Sequence, residues 1–377
     1  MKLNQIVLKN KSEILETLNN YDVKLYDFHF IFCDKAFIEG ISETVKAVFK
    51  DSVLMGCSTA GEIGDKKISE GSFVLTSVKL EKSKVKKCSY ILDNVKDSKH
   101  AGEYLANQLL APDLKHVFIL SDGLNVNGTR LIEGINSVLD HKINVSGGLA
   151  GDNGDFIKTY VTDIDNNFIP NCISAIGLYG DSIQTSSGSF GGWDSFGLDR
   201  VVTKSNENIV YEIDGQPALE LYKSYLGDLS KDLPGSALFF PLEMRVSEDS
   251  ELLVRTILGV NEQENSLTFA GNIPEGSFVR LMKTNVNRVI DGAEKAADII
   301  NSTIGKNVEL VLMVSCVGRK LVLKQLTQDE VEAVTDSFGN NSVFTGFYSY
   351  GELSKLKGHN DCNLHNQTMT LTAISEI

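Results

Sequence analysis

Four side chains near the end of the chain are of types that together recognise a small zwitterion: Arg319, Tyr348, Tyr350 and Glu352. Arg319 follows the apolar run LVLMVSCVG (Leu310–Gly318), which reads as a buried strand. An Arg at a strand end presents a planar fork of donors to a carboxylate. The two tyrosines and Glu352 end a second run, GFYSYGE. If those strands are neighbours, as in a βαβ-like unit, all four converge at one sheet edge. An amino acid then sets its carboxylate on Arg319 and its ammonium on Glu352, with a tyrosine face as a wall. Cys316 at the strand end and Asn366 complete the candidate ligand-binding set. Asn366 ends a polar loop from Gly358 that is placed to close over the edge. A second reading stays open, in which Arg319 pairs with a Glu and locks two elements together.

Other groups invite chemistry less directly. Glu62, Asp152 and Glu352 occupy matching places after three Gly turns. Such a carboxylate can act as a general base, or can cap backbone N–H groups in its own turn. No His or Ser partner recurs beside them, which favours capping. Cys57, Ser121 and Cys316 lack an adjacent base and a nucleophile elbow. GGLAGDNG is followed by residues that read as strand, so a phosphate would find no helix N-terminus there. The six histidines (29, 100, 116, 141, 359 and 365) show no zinc spacing. No catalytic residue and no metal site is therefore assigned, and a non-enzyme is expected.

These residues sit in a unit that the chain repeats three times. Each copy is a buried strand, a small polar residue, an amphipathic helix, a second strand, and a Gly turn with a carboxylate. The copies run from His29 to Glu62, from His116 to Asp152 and from Leu310 to Glu352. From Cys33, Ser121 and Cys316 to the matching Gly61, Gly151 and Gly351 the spacings are 28, 30 and 35 residues. Long stretches separate the copies, so this is a layered globular protein and not a solenoid. Helices precede each copy and strands follow it. The expected fold is α/β in the layered α+β sense, with mixed sheets, antiparallel pairing and flanking helices. TQDE (Thr327–Glu330) reads as a capping box. The Gly/Ser-rich stretch Thr185–Gly197 marks a boundary, giving expected domains 1–200 and 201–377.

At 377 residues the chain has room for two cores. A net charge of −14 argues against nucleic acid. The one Lys-rich stretch, Glu81–Cys88, alternates like a solvated strand face. No stretch has the length of a membrane span or a signal peptide. The six cysteines show no paired spacing, which points to reduced thiols and a cytoplasmic location.

Taken together, GCSTAGEI, SDGLNVNG, GGLAGD, DGQPALELY, IPEGSFVRL, SCVGR, GFYSYGEL and HNQTMTL resemble the FIST family through both its N-terminal and C-terminal domains. The strings appear in family order and cover nearly the whole chain. The resemblance implies a sensory input module for small ligands, amino acids among them. It also implies a separate signalling partner: a histidine kinase, a cyclic-di-GMP cyclase or phosphodiesterase, or a chemoreceptor. Some members are haem proteins that sense nitric oxide, so haem stands as the alternative to having no cofactor. A third alternative is an enzyme with Glu62 or Glu352 as its base.

Overall fold

The computed structural model describes every residue of the chain except Asp249 and Lys357. Each of the three repeats forms the centre of one six-stranded sheet, in the same way each time. In the first sheet the strands lie in the order Lys2–Leu8, Phe73–Lys79, Phe28–Cys33, Val53–Ser58, Val161–Thr162 and Phe168–Ile169. The second sheet has Lys84–Ile91, Cys172–Tyr179, Leu114–Ser121, Asn144–Leu149, Gly351–Ser354 and Asn363–His365 in the same roles. The third has Ile183–Phe190, Met369–Glu376, Leu310–Cys316, Val343–Ser349, Glu62–Gly64 and Lys67–Ser69. In every sheet the two central strands are parallel and the other pairs antiparallel.

The last two strands of each sheet come from a different repeat. After its Gly turn, the first repeat's chain pairs with the third repeat's second strand. The third repeat's chain pairs with the second repeat's strand. The second repeat's chain returns to the first. The exchange closes into a ring, and each repeat covers the edge of its neighbour's sheet.

The central strands are buried on both faces, which is why they read as unbroken apolar runs. Phe28, Phe30 and Phe32 meet Phe118, Leu120, Leu310, Leu312 and Val314 in a core shared by the three sheets. The alternate residues face helices. Ile31 and Cys33 pack with Ile14, Ile38, Ile41 and Val45, from helices Lys11–Asn19 and Lys35–Phe49. Helices Ser98–Leu109 and Gly128–Asn136 cover the second sheet, and Val286–Ile304 and Thr327–Thr335 the third.

A fourth sheet of eight strands, with helix Ala218–Leu226 and its own core, is inserted ahead of the third repeat, between the edge strand and the first helix of that repeat's layer. It spans Asp194 to Lys283, between strand Ile183–Phe190 and helix Val286–Ile304. The boundary expected after residue 200 falls inside strand Asp194–Asn206. Strand Ile183–Phe190, on the N-terminal side of that boundary, pairs with the C-terminal strand Met369–Glu376. The Lys-rich stretch also departs from expectation at one residue. Lys87 is buried, with its ammonium on the Asn166 side chain at 3.0 Å. Burial lowers its pKa to about 8.

At Gly151 the second repeat's turn passes against the first. Its N–H donates to Ser58 O at 3.0 Å, and a Cβ added there would lie 2.8 Å from Ala60 N. Backbone cannot give way as a side-chain tip can. Gly151→Ala should therefore lower stability by about 1–3 kcal/mol in urea unfolding. Gly235→Ala, where an added Cβ meets nothing within 4 Å, serves as the control and should change stability little.

Candidate functional site

The three turns place their carboxylates at equivalent points, and two of the three behave alike. Glu62 accepts from the Thr59 hydroxyl, from Ser72 N at 3.0 Å and from Ser72 Oγ at 2.8 Å. Glu352 accepts from Ser349 Oγ at 2.6 Å, from Thr368 N at 3.2 Å and from Thr368 Oγ1 at 3.0 Å. Both carboxyls are fully buried. Burial raises Glu62 to about 7, and the hydrogen bonds from Thr59 and Ser72 only partly oppose it. Burial raises Glu352 to about 8 against the pull of Ser349, Thr368 and Arg319.

The second repeat has Leu149 where the others have Thr59 and Ser349, so Asp152 has no such hydroxyl in its own turn. Its carboxylate instead accepts from the N–H groups of Phe156 and Ile157 at 2.8 Å and Lys158 at 2.9 Å. The Tyr350 hydroxyl and the Lys35 ammonium complete its shell. Burial alone would raise the pKa of Asp152. The Tyr350 hydroxyl and the three backbone donors outweigh that and hold it below the usual range. Asp152 thus fixes a loop that the other two turns lack. The loop carries Phe156, at φ 54°, and stacks its ring on Tyr350 at 4.4 Å. The apolar pattern after GGLAGDNG predicts a strand through Phe156, but the strand is only Val161–Thr162.

Arg319 lies in a short helix, Val317–Leu323, and is fully buried. Its Nε donates to Glu330 Oε1 at 2.6 Å, and its Nη2 to Val289 O at 2.6 Å. Nη1 donates to the carbonyls of Gly191 and Gln367. Glu330 also accepts from Tyr348 OH at 2.6 Å and Ser315 Oγ at 3.1 Å. The Arg–Glu lock, one of the two readings left open by the sequence, is the geometry observed. Its acidic partner is Glu330 and not Glu352. The capping box expected at TQDE does not form: the helix begins at Thr327, but Glu330 turns inward to Arg319.

Beside this lock lies a cavity of about 170 Å³. Three parts of the fold build it. The Asp152 loop brings Phe156. The inserted region brings Gly235, Leu238, Thr256, Ile257 and Leu258. The third repeat brings Cys316, Val317, Leu321, Tyr350 and Asn366. Of the six residues expected at a ligand site, Cys316, Tyr350 and Asn366 line this cavity. Arg319, Tyr348 and Glu352 stand behind it, buried with protein partners. Asn366 is held by Thr256 N at 3.4 Å and His365 O at 3.0 Å. The Thr256 hydroxyl is buried and finds no protein partner. Burial pushes the Cys316 thiol well up, which opposes a thiolate nucleophile. Thr256 and Leu238 carried no legible signal, because they sit in ordinary apolar and polar strings far from the third repeat in sequence.

A haem would need an axial ligand beside a larger space. His29, His116 and His365 are buried, bonded to Ser77, Ser146 and the Ser354 carbonyl. His359 differs: it borders an open cleft of about 520 Å³ walled by Phe190, Leu252, Ile299 and Leu356. Among the described residues no group of three or more His, Cys, Asp or Glu gathers in a metal-holding arrangement. No helix among them is long and apolar enough to cross a membrane.

Two measurements follow from the buried charges. Arg319→Ala leaves Glu330 unpaired and should lower stability by about 3–5 kcal/mol in urea unfolding, with part recovered by adding Glu330→Gln. A loss below ~1 kcal/mol would show that the lock contributes little. Between pH 4.5 and about 8, the folded chain keeps protons on Glu62 and Glu352 that the unfolded chain has released. Unfolding then releases protons, so these groups make stability fall as pH rises through that window. Glu352→Gln should flatten the upper part of the slope, and an unchanged slope would refute the assignment.

Comparison with known proteins agrees with the arrangement of the chain. An uncharacterized protein of Methanocaldococcus jannaschii is 26% identical over 226 residues. That match covers 56% of this chain and 41% of the relative, so the chain spans about two fifths of that relative's length. The crystal structure of a cyanuric acid hydrolase from A. caulinodans aligns over 100% of this chain and 98% of its own. Its TM-score of 0.39 and identity of 7% are too low to bear on fold or activity. The FIST N domain matches residues 27–216 and the FIST C domain residues 218–355. The chain belongs to the FIST family and carries both of its domains.

Proposed function

We propose that this protein is a cytoplasmic sensor that binds a small molecule in the cavity beside Tyr350 and passes the signal to a separate partner. FIST domains are associated with sensory signal transduction. One observation carries the assignment of the site: the cavity is walled from both family domains at once. Phe156 belongs to the FIST N range, and Leu238, Thr256 and Tyr350 to the FIST C range. An occupant therefore contacts both, and its binding energy can bias how they pack. A histidine kinase, a cyclic-di-GMP enzyme or a chemoreceptor would read that change.

The reading is one of binding and not of turnover. The turn carboxylates Glu62 and Glu352, candidate bases by sequence, are sealed among hydroxyls and N–H groups and do not border the cavity. The amino acid first expected as ligand would set its carboxylate on Arg319, whose donors are spent on Glu330 and three carbonyls. A second reading, haem, is favoured by His359 and its cleft. His359 would then be the residue to hold the iron, in a cleft lined by Phe190, Leu252, Ile299 and Leu356 together with Arg245 and Glu248.

A thermal-shift screen of metabolites tests the proposal, because a ligand bound by the native state alone raises the melting temperature. Compounds that do so should lose about tenfold in affinity, ~1.4 kcal/mol, in Phe156→Ala. The haem reading expects instead a Soret band on adding hemin, altered in His359→Ala. Stabilising compounds indifferent to Phe156→Ala would move the site elsewhere.

A further inference from the structure

The chemistry of the cavity wall says more about the occupant than its location does. None of the residues lining it is charged. Charges on the neighbouring elements are engaged within the protein: Arg319 with Glu330, Asp152 with Lys35, and Arg255 with the carbonyls of Asn272, Val254 and Leu364. Phe156, Leu258 and Leu321 are nearly half exposed, so the space opens to solvent, and an ion there would shed part of its water against apolar walls and find no counter-charge on them. The walls are aliphatic and aromatic: Leu238, Ile257, Leu258, Leu321, and Phe156 stacked on Tyr350. The volume of about 170 Å³ is close to the roughly 150 Å³ of an engineered apolar cavity that takes benzene.

One polar group breaks the apolar lining without a partner of its own. Thr256 is 4% exposed and lines the cavity, and its hydroxyl hydrogen-bonds to no protein atom. A buried hydroxyl is normally satisfied. Beside it the Asn366 amide is oriented by its bonds to Thr256 N and His365 O. Gly235, on the same wall, leaves open space where a side chain would go: an added Cβ meets nothing within 4 Å.

We infer that the cavity selects a small, uncharged, largely apolar molecule with one hydroxyl or carbonyl, which bonds to Thr256 while Phe156 and Tyr350 wall its ring or chain. This rests on the reading of the cavity as the ligand site. Zwitterions and carboxylates are the class it excludes.

Calorimetric titration of the full chain with phenol, toluene, benzoate and L-alanine tests this in the wild type, Thr256→Val and Gly235→Leu. Phenol should bind more tightly than toluene, and benzoate and L-alanine about tenfold or more below phenol. Thr256→Val should cut phenol affinity about tenfold and leave toluene unchanged. Gly235→Leu should abolish both by filling the space. Benzoate or L-alanine binding as well as phenol, and lost in Gly235→Leu, overturns the ligand class but keeps the cavity as the site. Phenol affinity unmoved by Thr256→Val overturns the hydroxyl anchor. No binding by any of the four probes, or binding that a folded Gly235→Leu retains, overturns the site itself. Thr256→Val removes only an unpartnered hydroxyl, so it keeps the inference open to refutation if Gly235→Leu does not fold.

Discussion

The exchange of strands around the ring of three repeats is the constraint on which the rest of this structure depends. A six-stranded sheet here is never the work of one repeat. Its outer pair is donated by a neighbour, through antiparallel pairing that sets Phe347 opposite Glu62 and Leu149 opposite Gly351. Without the donor each central strand would show an unpaired edge. The donation also fixes where the Gly turns lie, because the chain must leave one sheet and enter the next within a few residues. Ala60 N–H donates to Tyr348 O and Tyr348 N–H to Gly61 O across two turns, and Gly151 N–H donates to Ser58 O across another pair. The three turns are therefore gathered at one end of the shared core.

Function, on this reading, sits where the repetition fails. Glu62 and Glu352 occupy matched cages of hydroxyl and N–H donors and close their own turns. Replacing the hydroxyl residue by Leu149 frees Asp152 to reach forward, and the chain uses it to hold the loop that carries Phe156. The third repeat fails differently. It takes the inserted sheet between its edge strand and its first helix, and Arg319 ties the junction together through Gly191, Val289 and Glu330. The loop from one irregularity and the insert from the other meet over Tyr350. The cavity lies between them.

Arg319 shows how a charged residue in an acidic chain can be misread in kind while being correctly picked out. Its burial removes it from water, so its five donors must all find acceptors inside the protein. One carboxylate and three carbonyls supply them. An Arg so engaged has little to offer a ligand. What it offers is a fixed position for the short helix Val317–Leu323, whose residues form one wall of the cavity.

Much of this was legible in the residue order because it depends on local pattern. The three repeats, their helices and their turns follow from apolar period and glycine placement, which short stretches of chain enforce by themselves. The matched places of Glu62, Asp152 and Glu352 follow for the same reason, and so do Cys316, Tyr350 and Asn366 as residues near one strand end. The rest needed the fold. Which sheet a strand joins after its turn is a choice among distant edges of equal appeal, and no local signal ranks them. Glu330 satisfied a helix-cap pattern in sequence, yet a buried guanidinium nearby outbid the backbone for its carboxylate. Thr256 and Phe156 are separated from Tyr350 by long stretches of chain, and only packing brings them to the same wall. Residue types announced that something could bind near Tyr350. The absence of charge on the walls of the space that formed there is a property of tertiary contact alone.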